Sequence, residues 1–251
     1  MAETDHGSAG AADRRWFMLR KLHSLSGVVP LGVFVVVHFW TQAQALWGQA
    51  RYEAIAERHE TPYLVVLEIA VVMLPLAFHG LWGLKLALTA RPNVGAYPFN
   101  RNWMYVAQRV SGVAALAFVV WHVSQYWVPR LQGRLAPSAF YPTLCADLSA
   151  THQGVPLIAL AYVLGVAATA FHLANGLTGF CFSWGISVTR RAQRITATVC
   201  GLAGLAIFFL GANTAIYFAT GSRVAVFGVP PGSHASITPT CPDAQVTAHG
   251  H

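Results

Sequence analysis

Charge is what this chain has least of. Asp, Glu, Lys and Arg make up only 10% of its 251 residues, while 55% are hydrophobic. A soluble domain carries about 25% charged residues, so this composition and the mean hydropathy of +0.48 exclude a water-covered globule and indicate an integral membrane protein. Carboxylates are scarcer still. Of nine Asp and Glu only Glu68 falls well inside an apolar stretch, which leaves no ladder of intramembrane acids. The four cysteines form no closely spaced run that would hold an iron–sulfur cluster, and no glycine fingerprint for a dinucleotide is present. The first fifteen or so residues are polar and Gly/Ala-rich without an apolar core and small-residue cleavage site, so no cleaved leader is expected.

What is present are five apolar windows, near Leu22–Trp47, Tyr63–Thr89, Asn102–Val128, Gly154–Ile186 and Ala192–Ala219. Each is long enough to cross a hydrocarbon core of roughly 30 Å at about 1.5 Å per residue. The expected fold is therefore all-α, a membrane bundle of five transmembrane helices over 21–219, between a 1–20 N-terminal segment and a 220–251 tail rich in Gly, Pro and Thr. Eleven of the sixteen Lys and Arg, from Arg14, Arg15, Arg20 and Lys21 to Arg190, Arg191 and Arg194, fall on one side. The positive-inside rule makes that side, and the N-terminus, cytoplasmic and the C-terminus extracytoplasmic. These flanks account for the net charge of +7, so contact with anionic lipid headgroups explains it and nucleic-acid binding is not implied.

Four histidines, His38, His79, His122 and His172, sit deep in four of the windows. A side chain that titrates near neutrality is costly in lipid and marks a functional site by default. The four also belong to an internal repeat. Ser26-Gly27 opens a run that reaches His38, as Ser111-Gly112 opens one that reaches His122; Ala77-Phe78-His79 and Gly83-Leu84 recur as Ala170-Phe171-His172 and Gly176-Leu177. Counted by helical rise from the basic end, His79 and His172 lie roughly 15–20 Å in, and His38 and His122 roughly 25–30 Å in. Only residues at equal depth can meet across a bundle, which pairs His79 with His172 and His38 with His122.

Two imidazoles without a thiolate or carboxylate make a poor zinc site, because tetrahedral zinc needs two further donors. Haem iron needs only two axial ligands. Without a Cys-x-x-Cys-His motif the attachment is not c-type, leaving two b-type haems stacked across the bilayer. A lone intramembrane histidine can equally bridge two helices by a hydrogen bond; four in matched pairs argue against that. His23 and His59, near span ends, are expected to be solvated, and His234, His249 and His251 have no evident role.

The segments Arg20-Lys21-Leu22-His23-Ser24-Leu25-Ser26-Gly27-Val28-Val29-Pro30, Arg101-Asn102-Trp103, Gln108-Arg109-Val110-Ser111-Gly112, Phe171-His172-Leu173-Ala174-Asn175-Gly176-Leu177 and Trp184-Gly185-Ile186-Ser187-Val188-Thr189 resemble the cytochrome b membrane subunit of succinate dehydrogenase in the dihaem, Bacillus-type succinate:quinone oxidoreductases. The resemblance runs from about residue 15 to 219. It implies that His79 and His172 ligate a proximal haem and His38 and His122 a distal one. It also implies a bacterial cytoplasmic membrane location, with a flavoprotein subunit and an iron–sulfur subunit docked on the cytoplasmic face. Electrons would pass from succinate through those subunits to a membrane quinone. Moving one charge through 100 mV is worth about 2.3 kcal/mol, which suits a low-potential quinone such as menaquinone; the sequence does not set the direction, and fumarate reduction would use the same wiring.

Glu68, level with the outer pair, is the candidate for exchanging quinone protons, although it equally fits a helix-bridging hydrogen bond. Trp40, Gln44 and Tyr63 are candidates to line the same region. Arg20, Arg109 and Arg190 are candidates for haem propionates, because guanidinium pairs well with carboxylate; the same arginines also serve the topology signal. His23 and Ser26 could touch a docked subunit or a second quinone. Those relatives that carry a glutamate two residues before the fourth-span ligand have Ala170 there in this chain, so a proton route of that kind is not expected. Cys181 and Cys200 read as small buried hydrophobes, while Cys145 and Cys241 both fall on the outer side and are expected to pair as a disulfide. Other classes stay open: a dihaem cytochrome b of a quinone-linked hydrogenase or formate dehydrogenase, a transporter using the histidines as a relay, or an anchor in which haem is structural.

Overall fold

The structure, a computed structural model, describes residues 5–58 and 62–222. Among these the fold is helical, with a single isolated β-bridge, His152 to Val155, outside the helices. Five spans are long and apolar enough to cross a membrane: Asp13–Trp47, Tyr63–Leu88, Asn100–Leu131, Leu157–Ser183 and Arg190–Thr220. Their outward surfaces carry large exposed apolar side chains such as Val33, Leu81, Leu164 and Phe209, the reverse of a soluble bundle and the arrangement lipid requires.

Span one consists of α1 (Asp5–Val28) and α2 (Pro30–Ala43), broken where Pro30 has no N–H to donate. The helix thus starts well before Leu22. Span two consists of α4 (Pro62–Glu68), a π-helical turn at Ile69–Met73, and α5 (Leu74–Leu88). Here too a proline, Pro75, leaves a carbonyl one turn back without its donor, and the wider turn accommodates it. Span three is α6 (Asn100–Gln125) with α7 (Trp127–Leu131), span four is α9 (Leu157–Ser183), and span five is α10 (Arg190–Thr220). Thr189 caps α10 by accepting from the Ala192 N–H, and Gly221, left-handed at φ 73°, ends it.

Spans one to four close a ring: α1 on α5, α5 on α6, α6 on α9 and α9 back on α1. Span five lies outside, against α9 and α2. At the end away from the arginines, the first and third loops fold into α3 (Gln49–Glu57) and α8 (Phe140–Ser149). With the ends of α9 and α10 these build the most buried core of the chain, in which Tyr52, Tyr141, Leu144, Cys145, Leu148, Tyr217 and Phe218 pack together. The apolar residues of both loops cover the mouth of the bundle. Cys145 is buried there, and its expected partner Cys241 lies outside the described residues, as do His59 and the three histidines of the tail.

Candidate functional site

The four histidines meet in two pairs. The rings of His79 and His172 are 6.2 Å apart between centroids, and those of His38 and His122 5.9 Å. A metal–imidazole bond of about 2 Å on each side, plus the distance from nitrogen to ring centre, puts the two rings of a bis-imidazole metal site about 6 Å apart. Both pairs match that spacing.

Second contacts fix which nitrogen is available. His79 Nδ1 lies 3.0 Å from the carbonyl of His23, and His172 Nδ1 3.0 Å from the carbonyl of Gln108. Ser26 and Ser111 each donate to that same carbonyl, at 2.9 and 3.2 Å. The repeat is therefore three-dimensional: a carbonyl three residues before a serine orients the histidine of the facing helix. The following glycine makes room for it. A Cβ on Gly112 would stand 2.7 Å from His172 Cε1, and one on Gly27 would collide with the His79 ring. His122 directs Nδ1 to the Tyr162 hydroxyl at 3.0 Å. With Nδ1 so engaged, Nε2 is the nitrogen presented to a metal, the arrangement in which outer partners fix the tautomer of a ligating histidine.

The repeat is one residue out of step, because Gly27 to His38 is eleven residues and Gly112 to His122 ten. At 100° per residue that would swing the two outer histidines apart in straight helices. The break at Pro30 falls within the longer segment, and in the folded chain the two outer histidines face each other.

A cavity of about 1660 Å³ opens around the inner pair and runs to the arginine-rich end, beyond the roughly 300–1,000 Å³ of an ordinary ligand pocket. His79 and His172 line it, and so do Arg20, Arg109 and Arg190. The Nε of Arg109 is buried with no hydrogen-bond partner among the described residues, a donor suited to an acidic group brought in by a ligand. Donor set, spacing and cradle all fit a haem. The outer pair is more closely packed, with Phe34 against His38 at 5.3 Å and Phe118 against His122 at 5.9 Å.

Several expectations change. His23 is not a solvated span-end residue: it is half-buried, lines the cavity and stacks on His79, its Nδ1 buried without a partner. Glu68 is not a lone carboxylate, since Arg130 donates to it at 2.9 Å. That arginine lies in α7 at the end of span three, and its place in the sequence carries no signal of pairing with span two. Of the three candidate quinone-lining residues, Gln44 is buried and donates to the Trp40 carbonyl, whereas Trp40 and Tyr63 are 57% and 73% exposed. Cys200 is buried as expected and Cys181 half-buried. Gln108 and Asn175, which the sequence offers only as parts of the resembling segments, take a structural role. Gln108 Nε2 donates to the His172 carbonyl at 3.1 Å and its Oε1 accepts from Asn175 at 2.8 Å, which fixes the register of α6 against α9.

Comparison with known proteins agrees with this geometry. The family model described as succinate dehydrogenase/fumarate reductase transmembrane subunit matches residues 91–212. The succinate dehydrogenase cytochrome b558 subunit of Bacillus subtilis (strain 168) is 36% identical over 205 residues, which is 81% of this chain and 98% of that protein. No solved structure matches the chain. Five apolar helices, two facing histidine pairs and a relative that aligns over nearly its whole length place the chain in one family: it is a multi-pass transmembrane cytochrome b subunit of the succinate dehydrogenase/fumarate reductase type.

Proposed function

We propose that the chain is the membrane anchor and two-haem electron-transfer subunit of a succinate:quinone oxidoreductase, connecting an iron–sulfur subunit to a quinone, menaquinone by preference. The observation that carries this reading is the pair of imidazole couples at bis-ligand spacing, 6.2 and 5.9 Å, on repeat-related helices. His79 and His172 would hold the proximal group through Nε2, and His38 and His122 the distal one. A bound b-type haem supplies a one-electron ferric/ferrous couple at its iron.

The residues around it do the rest. His23 and Gln108 carbonyls orient the inner ligands, and Arg109, with Arg20 and Arg190 on the same cavity wall, would neutralise propionates. The arginine-rich end would face the cytoplasm and receive the flavoprotein and iron–sulfur subunits of a bacterial membrane complex. Glu68 would exchange protons with quinone, with Arg130 donating to its carboxylate at 2.9 Å. A disulfide between Cys145 and Cys241 would fasten the tail to the outer cap.

The test is the reduced-minus-oxidised spectrum of the complex purified with its partner subunits, with haem quantified per chain, in the native protein and in His122→Ala and His172→Ala. Two b-type haems, with a different one lost in each variant, is the expected result. One haem, or haem content indifferent to both changes, overturns the reading.

A further inference from the structure

The outer histidine pair differs from the inner pair in where an Nδ1 proton leads. At the inner pair both rings end on backbone carbonyls, which are neutral. At the outer pair His122 Nδ1 meets the Tyr162 hydroxyl at 3.0 Å. Tyr126 stands beside it, its ring 5.3 Å from that of His122, and donates to Asp147 Oδ2 at 2.7 Å. Tyr126 and Tyr162 are 6% and 8% exposed, whereas Asp147 is half-exposed on α8, in the cap over the bundle.

Polarity decides how this chain of groups is wired. An ionised carboxylate only accepts, and a histidine that gives Nε2 to a metal keeps its proton on Nδ1. His122 Nδ1–H therefore donates to Tyr162 oxygen and Tyr126 O–H to Asp147, and a Tyr162 hydroxyl turned toward Tyr126 joins the two. Each hydroxyl gives one bond and accepts one, so no link conflicts with its neighbour. Successive bonds of one polarity strengthen each other in a low-dielectric interior, and this series ends on a full negative charge.

We propose that Asp147, acting through Tyr126 and Tyr162, is a positioning residue for the outer ligand: it fixes the tautomer and orientation of His122 and gives that imidazole partial anionic character. The inference rests on His122 being an axial ligand. Aromatic contacts hold the intermediates in place, with Tyr162 5.3 Å from Phe118 and 5.5 Å from Trp121, and Tyr126 5.3 Å from the His122 ring itself. A more anionic axial ligand favours ferric over ferrous iron, so loss of the carboxylate raises the midpoint potential of the outer couple and leaves the inner one in place.

The experiment is a redox titration, with EPR of the two ferric signals, on the assembled complex carrying Asp147→Asn, Tyr162→Phe or Asp147→Glu. Outer partners of metal ligands are worth about tenfold or more. A tenfold loss of ferric preference is about 59 mV for a one-electron couple, and that upward shift is expected in Asp147→Asn and Tyr162→Phe, with altered g-values for the outer signal only. Asp147→Glu, which keeps the charge, should remain near the native potential. Unchanged potentials and g-values in the first two variants overturn the proposal. Should Asp147→Asn fail to assemble, Tyr162→Phe, which preserves ring packing, decides in the same way. His122→Ala separates the two levels: if it keeps both haems the ligand assignment itself has failed, whereas a loss of the outer haem beside flat titrations removes this inference alone.

Discussion

The imidazole of His23 lies flat on that of His79, centroids 4.0 Å apart and planes within 12° of parallel. In the other half of the repeat the same niche, under the ligand and three residues before the serine, is filled by Gln108 against His172. Two different side chains thus support one geometry, because the ligand is oriented by the backbone carbonyl that both residues carry.

Exchange at this position is accordingly tolerated. His23→Gln should retain both haems, whereas His23→Ala, which removes the stacked ring from a half-buried site, should lower stability by about 1–3 kcal/mol and broaden the proximal signal. Thermal unfolding and haem spectra of the two variants, measured side by side, check this; equal losses in both would mean that the ring itself is essential.

Glycine at 27 and 112 is required by the ligand opposite. An added Cβ at Gly112 would stand 2.7 Å from His172 Cε1, tighter than any relaxed contact. Gly112→Ala and Gly27→Ala should cost about 1–3 kcal/mol through overpacking and displace the proximal haem while the distal one stays. Retention of both haems at native potentials would contradict the arrangement.

The Glu68–Arg130 pair, with side chains 26% and 15% exposed, is neither a surface pair nor fully buried. Breaking it from either side should cost about 1–2 kcal/mol. Glu68→Gln and Arg130→Gln singly, and then together, should be non-additive in stability. If Glu68 serves quinone, turnover falls in Glu68→Gln with haem content intact; native turnover in that variant would reduce the pair to a tie between spans two and three.

Thr189 provides a control away from the histidine pairs. Its hydroxyl accepts the Ala192 N–H at 3.2 Å, and Thr189→Ala should lower stability by about 1 kcal/mol without moving either haem potential. A shift in potential would show that the start of α10 is coupled to the sites.

Much of this architecture could be read from the chain alone, for a physical reason. Lipid imposes a long apolar run on every span, so the spans are legible as runs. Histidine is costly there, so the four that remain stand out, and helical rise gives their depth. Rotation and fine contact are not legible in that way. The break at Pro30 and the π turn at Ile69–Met73 reset the phase of two helices, and their effect is known only when the helices are packed. His23 looked like a span-end residue because a sequence window has no neighbours.

The sequence by itself determined the class of the protein, its five spans, its internal repeat and the pairing of His79 with His172 and His38 with His122, since all of these follow from hydrophobicity, length and helical rise along one chain. Only the tertiary structure decided that His23 stacks on His79, that Arg130 meets Glu68, that the first and third loops cap the bundle, and that His122 leads through two tyrosines to Asp147. Those contacts join residues 21 to 62 positions apart or more, and packing between helices, which no local pattern encodes, is what brings them together.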